Sequence, residues 1–477
     1  MSQRKRLDKL KPKRLRPSRQ PAPVMAILNR NAAGIDVHSD MHMVCVPVQC
    51  VEAAAPTEPG ALPPHVRRFG ANSCDLVAIA DWLQQCGVTT VAMESTGVYW
   101  IPLFELLEAR GFVVWLVEPG QLSRCGARPK TDVLDVQWIQ RLHAYGLLQP
   151  SFRPPESIMA LRAYHRQRQM QIRYAAGHTQ HMQKALEQMN IKLTEVVSDI
   201  TGLTGQRIIE AILRGERDPH NLAYLRDPKC KNSALTIAKA LEGTWRPEHL
   251  FELRQAYDLY RFHHQQIREC DEMIRAEFAK LPNRAGDKSL AAKPRRCGRK
   301  PNDLSFDACG PLFRALGVDL TEIDGIDVGT ALVVLAEIGV DVSRFPTEKH
   351  FASWLGVCPR QYESNQTKKK RGPRKGKNRL AIALRMAAQA LGRTMSPLGL
   401  FYRRIKSRLG GKGAVTATAH KLACLVYRML KYGKEYVRQS IEDYEQKVRK
   451  QMERSLHRKA AALGYELVPK SACPKTT

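Results

Sequence analysis

The segment Arg128-Pro129-Lys130-Thr131-Asp132-Val133-Leu134-Asp135-Val136-Gln137-Trp138 sets two acids three residues apart at the head of an apolar run. With Ile139, Leu142 and Leu147 behind it, the spacing predicts the opening turns of an amphipathic helix. Residues three apart share a helical face, so Asp132 and Asp135 point the same way while Val136, Ile139 and Leu142 turn to a core. Two like charges this close repel and favour a cation between them. On a lone helix such a pair is an ordinary solvated face. Its meaning rests on whether other carboxylates arrive at the same point.

The chain before this helix supplies them. Ala33-Gly34-Ile35-Asp36-Val37-His38 and Met43-Val44-Cys45-Val46-Pro47-Val48 read as two strands joined through Ser39-Asp40. His65 to Gly70 is a third strand, and residues 51–64 form an Ala/Pro-rich loop. Asp75 to Cys86 has helical spacing and stops at Gly87. Val88 to Glu94 is a strand ending on an acid, Val98 to Arg110 a helix, and Phe112 to Val117 another strand. Three hairpin strands followed by crossover strands is the RNase H-like order. In that order Asp36 sits on the first strand, Glu94 ends the fourth, and the Asp132/Asp135 helix runs beside both. Four such carboxylates stay ionised together only with cations, and they suit a pair of hard divalent ions, Mg2+ or Mn2+. Two ions about 4 Å apart can activate an attacking oxygen and stabilise a leaving one. His38, two residues past Asp36, reads as a strand-end histidine with a structural partner.

Composition points to a polyanionic partner. The 477 residues carry 76 Lys+Arg against 46 Asp+Glu, a formal net charge of +30, and phosphate neutralisation rewards that many spread cations. No apolar run reaches the length of a membrane span, and the basic start lacks the apolar core of a signal peptide. The 12 cysteines contain no C-x-x-C pair, which argues against a zinc site or disulfide frame and for reduced thiols in a cytoplasm. The expected location is cytoplasmic and nucleoid-associated, with no membrane partner.

The remaining organisation follows chain order. Residues 1–31 are a basic arm, carrying Arg4, Lys5, Arg6 and Lys9 among others, suited to sequence-independent phosphate contact. Residues 32–150 form the domain that bears the acids. Residues 151–282 hold two long helices with seams through Leu161, His165, Ile172 and Met182, and through Leu253, Tyr257, Ile267 and Phe278. This predicts an antiparallel coiled-coil arm or a dimer surface. Residues 283–312 are a basic linker. Residues 313–437 form a mainly helical domain, in which Ile323-Asp324-Gly325-Ile326-Asp327 ahead of an apolar helix suggests a helix-hairpin-helix turn. Residues 438–477 are a basic tail. Within the helical domain Ser364 precedes the run Lys368-Lys369-Lys370-Arg371-Gly372-Pro373-Arg374-Lys375-Gly376-Lys377. This run reads as a glycine-containing basic loop, whose cations suit nucleic-acid phosphates and lower the cost of charge on a phosphodiester under hydroxyl attack. From the local sequence alone, an ordinary surface-loop serine is the better reading of Ser364.

These segments resemble the transposases of the insertion sequence 110 family, the elements guided by a bridge RNA. The resemblance is carried by Gly34-Ile35-Asp36-Val37-His38, Met93-Glu94-Ser95-Thr96-Gly97-Val98-Tyr99-Trp100, Lys130-Thr131-Asp132-Val133-Leu134-Asp135, Ala352-Ser353-Trp354-Leu355-Gly356, Arg374-Lys375-Gly376-Lys377-Asn378 and Ala419-His420-Lys421-Leu422-Ala423. It implies a RuvC-like domain with an Asp-Glu-Asp-Asp metal site, here Asp36, Glu94, Asp132 and Asp135. It also implies a coiled-coil middle, a transposase domain with a nucleophilic serine, and composite sites shared between the subunits of a dimer or tetramer. The partners implied are DNA and a guide RNA. The family places glycines directly after its serine, whereas this chain has Ser364-Asn365-Gln366-Thr367; Ser364 is the best match, with Thr367 and Ser353 as competitors. The competing functional readings are a structure-selective RuvC-like nuclease and a non-catalytic nucleic-acid-binding protein.

Overall fold

The computed structural model describes residues 26–51, 61–123, 131–290, 302–358, 360–364, 367–371 and 378–466. Most of the N-terminal basic arm and of the 51–64 loop, the linker residues 291–301, and Arg374, Lys375 and Lys377 lie outside them. Residue contacts divide the chain into two units, Met1–Arg153 and Pro154–Thr477.

The first unit is built on five strands. β1 (Ala32–Val37), β2 (Met41–Cys45) and β3 (Val66–Gly70) form an antiparallel meander. After α1 (Ser73–Gln85), β4 (Thr90–Glu94) lies parallel to β1; after α2 (Trp100–Ala109), β5 (Val113–Val117) lies parallel to β4. The sheet order is β3-β2-β1-β4-β5. The short α3 (Pro119–Leu122) and then α4 (Asp132–Ala144) follow. This is a mixed, RNase H-like sheet, with the element order that the hydrophobic patterning predicts.

Strand alternation sorts the two faces. Ala33, Ile35 and Val37 of β1 join Val91 and Met93 of β4 in a core with Ile79 and Leu83 of α1 and Leu103 and Leu107 of α2. The opposite face carries Ala92 and Val117, packed with Ile139 and Leu142 of α4, while Met43 and Cys45 pack with Val136. Each of these Val, Leu, Ile and Met side chains contributes about 1.5–3 kcal/mol when fully buried. Both faces are therefore covered. The odd-numbered β1 residues face α1 and α2, so Gly34 and Asp36 fall on the side of α4.

The second unit is mainly helical. α5 (Glu156–Gln188) and α10 (Pro247–Lys280) lie antiparallel, since Arg168 bonds Asp271 at 2.5 Å while Gln171 bonds His263 Nδ1 at 2.7 Å. At one end of the pair, α6 (Leu193–Val196), α7 (Leu203–Arg214), α8 (Pro219–Tyr224) and α9 (Ala234–Ala240) enclose a core of Met182, Leu186, Ile208, Ile212, Leu222 and Ile237 among others. Towards the other end, Asp271 also accepts from the Ser305 backbone N–H at 2.8 Å and Arg168 donates to the Asn302 carbonyl at 3.1 Å. That buried ion pair thus ties the returning chain to both long helices. The beginning of the basic linker is anchored as well: Ala285 is buried, and the Arg284 N–H donates to the Arg314 carbonyl at 2.8 Å.

α11 (Cys309–Leu316), α12 (Val328–Ile338) and α13 (Glu348–Trp354) lead to a two-stranded hairpin, β6 (Arg360–Ser364) and β7 (Thr367–Arg371). Lys368 to Arg371, expected in a loop, are strand residues. α14 (Arg379–Leu391), α15 (Pro397–Tyr432) and α16 (Lys434–Ala462) complete the chain. α15 is broken at Gly410, whose φ of 72° is left-handed, which divides it into two helical segments. Tyr427 of α15 donates to the Phe345 carbonyl at 2.7 Å, and Arg428 pairs with Glu348, which fixes α15 to α13. At the turn before α12 the Asp327 side chain accepts from the Thr330 N–H at 2.8 Å. A carboxylate of the chain itself thus stands at that helix N-terminus.

Candidate metal centre

Backbone register brings the first two acids together. Ile35 pairs with Met93 across parallel strands, so Asp36 and Glu94 are the next residues along β1 and β4. Asp36 is only 7% exposed. Its Oδ2 lies 3.2 Å from His38 Nε2, and the Glu94 carboxylate accepts from Thr96 Oγ1 at 3.1 Å.

The other two acids are delivered by the start of α4. Thr131 caps that helix, its hydroxyl accepting from the Leu134 N–H at 3.3 Å. Asp132 and Asp135 both occupy the first turn, where the helix dipole favours negative charge. One ligand atom each from Asp36, His38 and Asp132 lie within 4.8 Å of one another. Glu94 and Asp135 stand outside this tightest group yet within its electrostatic reach. Burial, then Asp135 and Asp132, push the Asp36 carboxyl up from its ordinary value, against the opposing pull of His38. Burial first and Asp36 second push Glu94 up, with Asp135 adding to the effect.

Asp36 thus feels Asp132 and Asp135, and Glu94 feels Asp36 and Asp135, in a partly desolvated place. The carboxylates offer hard oxygen donors, as Mg2+ and Mn2+ prefer, with the His38 ring nitrogen beside them, and a divalent cation would favour the charged forms that burial and the neighbouring acids disfavour. The residues fit such an ion. Asp36, Glu94, Asp132 and Asp135 would hold it, while His38 orients the Asp36 carboxylate through its ring nitrogen.

Gly34 is a structural determinant that the motif reading passed over. A Cβ built there would lie 2.5 Å from the Gln140 backbone N and 2.8 Å from the Val136 carbonyl O. Only glycine lets α4 sit this close to β1. Gln140 secures the contact by donating to the Ala32 carbonyl at 3.1 Å. A glycine two residues before an acid within a strand is the sequence signal, since strand glycines mark close backbone approach. Gly34→Ala is expected to push α4 outward, because backbone atoms cannot rotate away as side chains do. Overpacking of this kind costs about 1–3 kcal/mol. A lowered midpoint in denaturant, with the acid positions displaced, checks it; a variant as stable as the parent refutes the packing argument.

The candidate serine lies in the second unit. Ser364 ends β6, with Thr367 as its backbone partner across the hairpin, and Arg360 pairs with Arg371 at the base. Ser353 is exposed on α13. Lys368, Lys369, Lys370 and Arg371 follow one another along β7.

The sheet order, with an acidic cluster at the edge where β1, β4 and α4 meet, defines an RNase H-like nuclease domain suited to a divalent ion, joined to a mainly helical region. Residues 33–191 match a transposase family model for the DEDD domain of IS110 elements, and residues 319–403 match the model described as "Transposase IS116/IS110/IS902 family". The chain belongs to the IS110 family of transposases; it is an enzyme that acts on DNA. No curated protein matches it. Among the described residues no helix is long and apolar enough to cross a membrane.

Proposed function

We propose that this transposase cuts and rejoins DNA by attack of a serine hydroxyl, Ser364, on a phosphodiester held at Asp36, Glu94, Asp132 and Asp135. The observation carrying the metal part of this reading is the approach of Asp36 and Asp132, with His38, to within 4.8 Å of one another, with Asp135 acting on both Asp36 and Glu94. Bound there, divalent ions would neutralise charge developing on the phosphate and the leaving oxygen. The chain's own part is to hold the acids in register and to supply the nucleophile. In the step itself the serine hydroxyl gives up its proton and its oxygen bonds phosphorus. The strand oxygen leaves and takes up a proton, and the phosphoserine link keeps the bond energy for rejoining.

On this reading residues 32–150 are a RuvC-like catalytic domain, 151–282 a coiled-coil arm, and 313–437 a transposase domain with a helix-hairpin-helix-like element. Lys368, Lys369, Lys370, Arg371, Arg374, Lys375 and Lys377 contact nucleic-acid phosphates. A structured RNA directs the enzyme, and a dimer or tetramer completes sites in which the serine of one subunit meets the acids of the same or another subunit. Family membership supports these assignments; the sequence after the serine is the point that favours a second reading. Ser364-Asn365-Gln366-Thr367 lacks the glycines of the family pattern, which suits a RuvC-like nuclease that uses water. The experiment is to incubate the purified chain with DNA carrying its element ends in Mg2+ and resolve the products on a denaturing gel. A DNA-linked protein band is expected; cleaved DNA without that band establishes the nuclease.

A further inference from the structure

The second unit contains an arginine cluster that the proposed reaction does not use. Arg162, Arg166 and Arg173 of α5 are spaced i, i+4 and i+11, which places them along one helical stripe. Arg379, the first residue of α14, lies near enough to act on Arg162 and on Glu337. Arg166 grips Glu337 of α12 with two bonds, Nε to Oε1 at 3.0 Å and Nη2 to Oε2 at 2.7 Å. Arg162 Nη2 reaches the same carboxylate at 3.1 Å. Glu337 is one carboxylate facing three guanidinium groups, Arg162, Arg166 and Arg379, and Arg173 adds a fourth positive charge that acts on Arg379.

Two further features show that this cluster is incompletely paired. The Arg162 Nε is buried with no hydrogen-bond partner among the described residues, and so is Nδ1 of the neighbouring His165, a residue 4% exposed. Burial, with Arg166 and Arg379 adding to it, pushes the Arg162 guanidinium below its ordinary value despite Glu337. Arg379 is also misplaced for helix stability. It stands at the N-terminus of a 13-residue helix, the end that favours anions and disfavours cations. A bound anion would offset the crowding of like charge and the adverse helix-end cation, and guanidinium forks match phosphate oxygens in geometry.

We infer that Arg162, Arg166, Arg173 and Arg379, pre-oriented by Glu337, form a cradle for a nucleic-acid backbone phosphate where α5, α12 and α14 meet. The ligand chemistry is the phosphodiester, which DNA and RNA share. The inference rests on the transposase having a nucleic-acid substrate, and on neither the serine nor the metal.

The test is the double variant Arg173→Gln/Arg379→Gln. Both positions are exposed, and the bonds of Arg162 and Arg166 to Glu337 stay in place. A control, Arg207→Gln/Lys229→Gln, removes the same charge from exposed sites in the α6–α9 region. Binding is measured by fluorescence anisotropy without divalent metal, against a DNA duplex and an RNA hairpin in parallel, over a range of salt. Each lost duplex contact reduces the slope of log affinity against log salt by about 0.9. Two contacts thus flatten it by about 1.8, so that the affinity lost between about 50 and 200 mM salt shrinks by about twelvefold. The cluster variant is expected to show this with at least one of the two ligands, which identifies the source of the phosphate. Its thermal midpoint should stay level or rise, because like charges and an adverse helix-end cation are removed. Equal changes in the control, or an unchanged slope with both ligands, overturns the cradle. Because no metal is present and no strand is cut, failure here leaves the four-acid reading untouched, and failure of that reading leaves this measurement interpretable.

Discussion

Asp132→Asn is expected to abolish strand cleavage while leaving nucleic-acid affinity almost unchanged. Asp132 contributes a ligand atom to the tightest group of the site, with Asp36 and His38, and it stands on the rigid first turn of α4. The amide keeps the shape and removes the charge. A metal ion contributes several kcal/mol to stabilising a phosphoryl transition state, and about 1.4 kcal/mol is a tenfold change in rate. Losing a ligand that holds it should therefore slow cleavage by about a thousandfold or more. Glu94→Gln should act the same way, since Glu94 is the residue after Met93, which pairs with Ile35 beside Asp36. Affinity is carried by lysine and arginine, so a binding curve in the absence of metal should superimpose on that of the parent. Full cleavage by either variant in Mg2+ would sink the four-acid site.

Ser364→Ala is expected to remove the covalent protein–DNA adduct and all recombination, with the fold intact. A nuclease using water has no need of this hydroxyl, so the variant separates the two enzymatic readings. Ser364 ends β6 opposite Thr367, one residue before the basic run of β7, and Lys368 and Arg371 are near enough in sequence to stabilise charge on the attacked phosphate. The controls are Ser353→Ala and Thr367→Ala, read on the same denaturing gel. An adduct that survives in the Ser364 variant shows that the serine is wrongly assigned. Loss in Thr367→Ala alone moves the nucleophile across the hairpin.

The first unit was legible because its determinants are local. Alternating apolar residues fix β1 and β4, glycines such as Gly87 end helices, and the i, i+3 spacing of Asp132 and Asp135 needs only helical geometry. Once the strand order is known, Asp36 and Glu94 must be neighbours. The helical unit was less legible: the basic residues of β7 read as a loop, because a run of lysines has no period from which to infer a strand.

What the sequence determined by itself is the order of elements, the helix-borne acid pair and the excess of positive charge, each a property of neighbouring residues. Other features were decided by tertiary structure alone. The contact of α4 on Gly34 depends on atoms of Val136 and Gln140, about a hundred residues away. The burial that raises Asp36 and Glu94 comes from the folded domain around them and not from their neighbours in sequence. The arginines of α5 meet Glu337 and Arg379 only because α5, α12 and α14 converge. Their positions span 162 to 379, and no spacing rule connects residues that far apart.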